Sequence, residues 1–311
     1  MKPKVIVICG PTASGKTSLS IELAKKINGE IISCDSMQIY KDMTIGTAKP
    51  TLEEMDGVPH HLIDFVLPSE RYSVADFKKA ATQKIEEILS RNKTPIIVGG
   101  TGLYVDALVY NIEYLELETD LKYRQELEKL VEQEGLEKLY EEAKKIDEQA
   151  IQSISKNDKK RIMRILEIYH QTGKTKTQLE AESRLIPPPY DYIVFAITMD
   201  REKLYERINL RVDIMLEQGL IEEVQNLVNK YKEFPTAMQG LGYKEVVEYL
   251  DGKTTKEEMI EKLKMETRRY AKRQLTWFRK NKDIKWINGL APLEQNIQYI
   301  LEEYSGEKES K

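Results

Sequence analysis

Much that would narrow the function of this 311-residue chain is scarce in its sequence. It has two cysteines, three histidines and 11 prolines, and its net charge is only −4. Cys9 and Cys34 fall at the ends of apolar β-branched runs, which reads as two buried thiols and excludes a disulfide framework. His60 and His61 are adjacent, so on an extended chain they point to opposite sides. With no third ligand in view they make no zinc site, and they read as structural or lid residues. The weak negative charge gives no whole-molecule attraction to nucleic acid, so any such contact has to come from local clusters. No apolar run is long enough to cross a bilayer, and no membrane span is expected. The chain runs directly into a strand pattern without a signal peptide, and a cytoplasmic protein is expected.

Against this background one segment stands out. Gly10-Pro11-Thr12-Ala13-Ser14-Gly15-Lys16-Thr17 fits the phosphate-loop pattern G-x-x-x-x-G-K-[ST]. A β-branched run, 4–9, precedes it, and a stretch with helical apolar spacing, 18–27, follows. Strand, glycine loop and helix start form the context in which backbone N–H groups and a helix N-terminus hold an anion. In that arrangement Lys16 reaches the phosphates and Thr17 offers a hydroxyl to Mg²⁺. A turn that only tightens a strand–helix corner does not need Lys16.

Strand and helix patterns alternate over the first third: strands at 4–9, 30–34 and 94–98, and a helix at 74–91. Continuous apolar strands separated by helices imply a parallel sheet covered on both faces. The fold class is therefore α/β, a P-loop NTPase-like parallel sheet flanked by helices. From about Glu116 the texture becomes Glu/Lys-rich, strandless and helical, with breaks at Gly135 and Gly173. The Pro187-Pro188-Pro189 run ends that segment. A strand resumes at 192–197. The remainder, 201–282, reads as helix, followed by a last strand at 284–287 and a frayed polar tail after Glu302. The expected domains are 1–115 with 190–311 as the core and its C-terminal helices, and 116–189 as an all-helical insertion.

In an open parallel sheet, ligands sit beyond the carboxyl ends of the strands. The second strand ends in Asp35-Ser36-Met37-Gln38. Asp35 has three readings there: a partner in Mg²⁺ binding, a general base, or a helix cap. Ser36 and Gln38 add donors and acceptors suited to a purine edge. The third strand runs into Gly99-Gly100-Thr101-Gly102, where a phosphate-hydrolysing enzyme of this class carries a metal-holding acid. The glycines suggest a close backbone approach to a ligand, with the Thr101 hydroxyl as a hydrogen-bonding group. A tight turn alone accounts for the glycines but not the threonine.

Two basic clusters interrupt the acidic background. One opens a helix in the insertion and contains Lys159, Lys160, Arg161, Ile162 and Met163. The other, 268–280, interleaves Arg273 and Arg279 with Tyr270, Trp277 and Phe278. Stripes of this kind can track nucleic-acid phosphates and stack bases; singly they are also ordinary solvated helix faces.

Taken together these segments resemble the tRNA dimethylallyltransferase family. The motifs that carry the resemblance are GPTASGKT at 10–17, DSMQIY at 35–40, GTAKP at 46–50, PHHL at 59–62, YSVADF at 72–77, VGGTGLY at 98–104, KNDKKRIMR at 156–164, QGLGYKE at 239–245 and TRRYAKRQLTWFRK at 267–280. The phosphate loop alone is unspecific; DSMQ together with GGTGLY and KRQLTWFR is specific.

The resemblance implies transfer of a dimethylallyl group from dimethylallyl diphosphate to the exocyclic amine of the adenosine 3′ to the tRNA anticodon, with diphosphate leaving. It implies that Gly10–Thr17 and Arg211 bind the donor diphosphate, where the loop pattern by itself equally fits a nucleotide such as ATP. Mg²⁺ on Thr17 is the implied cofactor. Lys16, Asp35 and Thr101 are the implied catalytic residues, with Asp35 as base. Asp35, Ser36, Met37, Gln38, Thr101, Arg124, the 159–163 cluster, Arg273 and Arg279 are the implied tRNA contacts. The implied partners are the tRNA anticodon stem-loop and the allyl donor, and a monomer is expected. Two other readings stay open on sequence alone: a small-molecule kinase with the same loop, and a non-catalytic RNA-binding protein using the loop as an anion clamp.

Overall fold

Lys4–Cys9 (β1) explains the layering of this fold by itself. Its side chains alternate between two cores. Val5, Val7 and Cys9 pack with Phe77, Ile85, Ile88 and Tyr104, while Ile6 and Ile8 pack with Leu19, Leu23, Ile297 and Ile300. A strand buried on both faces reads as a continuous apolar run, and Val5 to Cys9 are at most 1% exposed. The computed structural model describes residues 2–114 and 120–306.

The other strands are Gly29–Ser33 (β2), His60–His61 (β3), Thr94–Gly99 (β4), Asp191–Thr198 (β5) and Lys285–Asn288 (β6). They form one sheet in the order β3-β2-β4-β1-β5-β6, and every pairing is parallel. Helix Lys16–Lys26 and helix Leu293–Ser305 cover one face, and helices Val74–Ser90 and Gly102–Val109 the other. The expected P-loop architecture is the observed one.

The chain divides into two compact units, one formed up to Val109 and from Pro189 onward, the other by Tyr110–Pro188. Glu116, where the insertion was expected to begin, lies outside the described residues, as does the tail beyond 306. The Tyr110–Pro188 unit has its own core, with Leu127, Leu139, Ile151, Ile162, Met163 and Leu166 buried together. Gly173 adopts φ 69° at the end of helix Lys159–Thr172, the left-handed cap that glycine permits.

Several expectations change. The 201–282 region is three long helices, Arg201–Glu217, Leu220–Lys230 and Lys256–Phe278, with the short helix Tyr243–Leu250 between the last two. Helix Leu293–Ser305 was not foreseen; its Ile297 and Ile300 are held by contacts with β1 and β5 residues far away in sequence. His60 and His61 are a two-residue edge strand rather than a loop or lid. His60 Nδ1 meets the Val58 carbonyl at 2.8 Å, and burial lowers its pKa. Among the described residues no group of three His, Cys, Asp or Glu side chains could hold a metal ion. No described helix is long and apolar enough to cross a membrane. Both cysteines are free and buried.

His61 belongs to an ion cluster. Glu30, buried in β2, is reached by Arg91 at 2.6 Å, Lys93 at 2.7 Å and His61 at 2.7 Å. Burial alone would raise its pKa; the bonds from Lys93, His61 and Arg91 outweigh burial and hold it at about 2, against an ordinary 4.5. A depressed carboxylate contributes stability above its unfolded pKa and loses it as pH falls through the folded one. We therefore expect Glu30→Gln to be destabilised by about 3 kcal/mol at neutral pH. That gap should narrow as chemical denaturation is repeated from pH 4.5 down toward 2. A gap that stays constant over that window would contradict the assignment.

Candidate active site

The first wall of the site is the loop between β1 and helix Lys16–Lys26. Ala13 at φ 61° and Gly15 at φ 91° turn the backbone into a concave nest. No side chain caps the helix, and its first turn carries no acidic residue, so its N-terminal N–H groups are left for an anion. Lys16 folds back over the loop, donating to the carbonyls of Gly10 at 3.0 Å and Pro11 at 2.6 Å. Burial lowers the Lys16 pKa to about 8, Arg211 adds to the lowering, and Asp35 opposes it. Arg211, on helix Arg201–Glu217, is likewise pushed down by burial, with Asp35 and Glu54 opposing. Two bonds to helix Lys256–Phe278 bracket Arg211: Arg268 donates to Asn209 at 2.6 Å and Lys264 pairs with Asp213 at 2.7 Å.

Asp35 lies just past β2. Its Oδ1 accepts from the N–H groups of Met37 at 2.8 Å and Gln38 at 3.3 Å. The helix-cap reading is not met, because residues 36–39 form a turn and not a helix: Oδ1 closes that turn, and Oδ2 has no hydrogen bond among the described residues. The Gln38 amide, foreseen as a purine-edge partner, is turned onto the protein. Its Oε1 accepts from Ser33 at 3.1 Å, and its Nε2 donates to the carbonyls of Thr47 at 3.2 Å and Ala48 at 3.1 Å. Thr101 joins this wall, accepting from the Ser36 N–H at 3.1 Å and donating to the Ser36 hydroxyl at 3.4 Å.

The glycines after β4 have a different cause from the one expected. A Cβ on Gly99 would lie 2.0 Å from the Cys34 carbonyl oxygen, and one on Gly102 would lie 2.3 Å from the Trp277 ring. The approaching groups are the protein's own, the backbone at Cys34 and helix Lys256–Phe278, and Gly99 and Gly100 also line the cleft. That helix supplies residues that sequence reasoning passed over. Tyr270 lines the cleft, and burial raises its pKa. Gln274 donates to the Gly100 carbonyl at 2.9 Å and accepts from the Thr12 N–H at 3.0 Å. The signal for Gln274 was present: Ala271, Gln274 and Phe278 share the inward stripe, and an amide there must find partners. Glu223 was also missed. Its carboxylate takes the N–H groups of Thr44, Ile45 and Gly46 and the Tyr243 hydroxyl, which fixes the 44–48 loop.

These elements enclose a cleft of about 410 Å³. Thr12, Lys16, Thr17, Asp35, Ser36, Met37, Gln38, Arg211 and Arg273 all line it. Gly10, Pro11, Ala13, Ser14 and Gly15 shape the loop behind Lys16, and the Ser14 hydroxyl is buried without a hydrogen-bond partner. Part of the wall is apolar, from Ile208, Val212, Met215 and Leu263. Arg279 is exposed, one residue past the helix that carries Arg273.

The remaining expected residues belong to the Tyr110–Pro188 unit. Lys160 and Arg161 are exposed and Lys159 half-buried, in the first turn of a helix capped by Asp158. Cations at the positive end of a helix are disfavoured unless an anion joins them. Ile162 and Met163, grouped with these cations as RNA contacts, are a correction: they are 0% and 3% exposed and form the core of the unit. Arg124 is ion-paired with Glu167 at 3.0 Å, so its charge already has a partner inside the unit.

Comparison with known proteins identifies the family. A family model described as IPP transferase matches residues 38–281. A curated tRNA dimethylallyltransferase from Acetivibrio thermocellus is 54% identical over 285 residues, covering 91% of each chain. A tRNA delta(2)-isopentenylpyrophosphate transferase structure from Staphylococcus epidermidis superposes with a TM-score of 0.73 at 45% identity, over 98% of this chain and 100% of that one. A eukaryotic dimethylallyltransferase acting on tRNA gives a TM-score of 0.80 at 32% identity, over 99% of this chain and 81% of that one.

The lowered Lys16 pKa gives a sign to test. An anion on the loop favours the charged ammonium, so above about pH 8 binding must recruit a proton and weaken as pH rises. Calorimetry of inorganic diphosphate in two buffers of different ionisation enthalpy should show more proton uptake at that pH for the unmodified protein than for Lys16→Met, the titration of the diphosphate itself being common to both. An equal buffer dependence in the two proteins would contradict the assignment.

Proposed function

The chain belongs to the IPP transferase family, its activity is transfer of a dimethylallyl group to tRNA, and from that premise we propose that Lys16, Arg211 and Asp35 carry the transfer in the cleft described above. The donor is dimethylallyl diphosphate, and the acceptor is the exocyclic amine of the adenosine 3′ to the anticodon. The observation that carries this reading is the meeting of two desolvated cations and one half-committed carboxylate on a single cleft with an apolar wall.

The diphosphate sits in the Gly10–Thr17 nest, with Lys16 and Arg211 beside it. Negative charge grows on its bridging oxygen as the allylic carbon–oxygen bond breaks, and cations held out of water stabilise that charge strongly. Thr17 is exposed on the cleft wall, and no protein cage surrounds it among the described residues. This donor set fits Mg²⁺ held by one hydroxyl together with diphosphate oxygens and water. When bound, the ion supplies further neutralisation of the leaving group.

The adenine amine is a weak nucleophile because its lone pair is delocalised into the ring. Asp35 Oδ2 takes its proton as the nitrogen–carbon bond forms, while Oδ1 stays fixed to Met37 and Gln38. Thr101, bonded to Ser36, stands on the same wall as Asp35. Isoleucine, valine, methionine and leucine side chains keep water from the allyl cation character that develops.

Reaching the cleft requires the base to leave the anticodon-loop stack, at a cost of a few kcal/mol. Arg273 and Arg279, with Lys159, Lys160 and Arg161, are the cations assigned to RNA phosphates, which offset that cost. A monomer is expected, and action on tRNA fits a cytoplasmic protein. The kinase alternative needs an acid at the end of β4, where Gly99 and Gly100 stand instead.

The test is label transfer from dimethylallyl diphosphate to bulk tRNA with Mg²⁺ present. The unmodified protein is expected to label the RNA, and omission of donor or metal to prevent it. Asp35→Asn should lower single-turnover transfer by about 10²–10⁴-fold with tRNA affinity retained. Transfer by Asp35→Asn at the unmodified rate would remove the carboxylate from the mechanism.

A further inference from the structure

Gln274 joins two walls of the cleft that no strand pairing fixes beyond the sheet edge. The loop after β1 and the turn after β4 leave the sheet side by side and then diverge. Between them sits one side-chain amide, 6% exposed, taking the Thr12 N–H at 3.0 Å and giving a hydrogen bond to the Gly100 carbonyl at 2.9 Å. The orientation of the amide is fixed by its partners, since a backbone N–H can only donate and a carbonyl only accept. The turn is built around it: a Cβ on Gly100 would lie 2.1 Å from Gln274 Nε2. From the same helix, Trp277 donates to Asp106 at 3.0 Å while covering Gly102.

We infer that Gln274 is a positioning residue that sets the separation between the diphosphate loop and the Thr101–Ser36–Asp35 wall, and thereby the distance between leaving group and proton acceptor. This inference rests on the transferase reading above. Gln274 lines the cleft, but its Oε1 is engaged by the Thr12 N–H and its Nε2 by the Gly100 carbonyl, so the part assigned to it is to hold the two walls rather than to bind a reactant. The Thr12 N–H is therefore committed to the protein, and the diphosphate is left with the amides that follow it in the nest. A displacement near 1 Å between reacting groups costs about 10²-fold in rate. Bound affinities change much less, because donor and tRNA are each held by their own wall.

Three variants separate this role from a structural one. Gln274→Ala removes both bonds, Gln274→Met fills the space without polar atoms, and Gln274→Glu keeps the shape. Each is read against the unmodified protein at the same pH, so that the titration of other groups cancels. In Gln274→Glu an ionised carboxylate still accepts from Thr12 but sets an oxygen against the Gly100 carbonyl; the protonated acid restores both bonds. Burial raises a carboxyl pKa, so the Glu variant should regain activity on acidification. Expected is a single-turnover rate lowered about 10²-fold in each variant at about pH 8, with donor KM and tRNA Kd within about threefold. For Gln274→Glu the rate relative to the unmodified protein should recover toward about pH 6.

An unchanged rate in Gln274→Met or Gln274→Glu, or a rate loss in Gln274→Glu that does not recover with acid, would overturn the inference. If Gln274→Ala does not fold, the Glu variant and its pH profile decide alone. Failure of the unmodified protein to label tRNA would count against the transferase reading itself, independently of any Gln274 variant.

Discussion

Uncompensated positive charge at the end of β1 is the constraint to which the rest of this molecule answers. The first helix begins without a cap or an acidic residue, Lys16 is folded onto two carbonyls, and Arg211 stands beside it, both cations disfavoured by burial. A folded protein tolerates such a site only where the surrounding packing over-determines it. The doubly covered sheet does this: β1 is buried on both faces and flanked by β4 and β5, so the loop has no freedom to relax its charge toward solvent. An arriving diphosphate relieves the imbalance, and the relief is greatest when its charge is greatest, as the allyl group departs.

The opposite wall is held by long-range hydrogen bonds rather than by the sheet. Thr12 and Gln274 are 262 positions apart, and Thr44 and Glu223 are 179 apart. Helix Lys256–Phe278 gathers three of these ties, to Thr12, Gly100 and Asp106. This accounts for the placement of a basic-aromatic helix at a diphosphate site. Its inward stripe assembles the cleft, while its outward face carries Arg273 and Lys272.

What could be read from the sequence divides along the same line. The extent of β1, the start of helix Val74–Ser90 and the convergence of Lys16 with Asp35 on one rim follow from local pattern and from strand-end geometry. The partners of Gln274 and Glu223 were not legible because they are distant in sequence, although the inward stripe of helix Lys256–Phe278 marked Gln274 as buried. Helix Leu293–Ser305 was missed for a related reason, its apolar side being completed by β1 and β5. Ile162 and Met163 were misassigned despite a helical spacing that marks them as core, because the neighbouring cations dominated the reading of that segment. The glycines at 99, 100 and 102 were correctly read as close approach, but the approaching groups were Cys34, Gln274 and Trp277.

The most direct test is a crystal structure of the protein with an anticodon stem-loop and an unreactive analogue of dimethylallyl diphosphate. The account predicts diphosphate oxygens on the amides of the 10–17 loop with Lys16 turned from its two carbonyls toward them. It predicts the adenine amine within about 3 Å of Asp35 Oδ2, on a line toward the allyl carbon. A diphosphate bound elsewhere, or an adenine amine held away from Asp35 with the carboxylate still engaged only with its own turn, would contradict it.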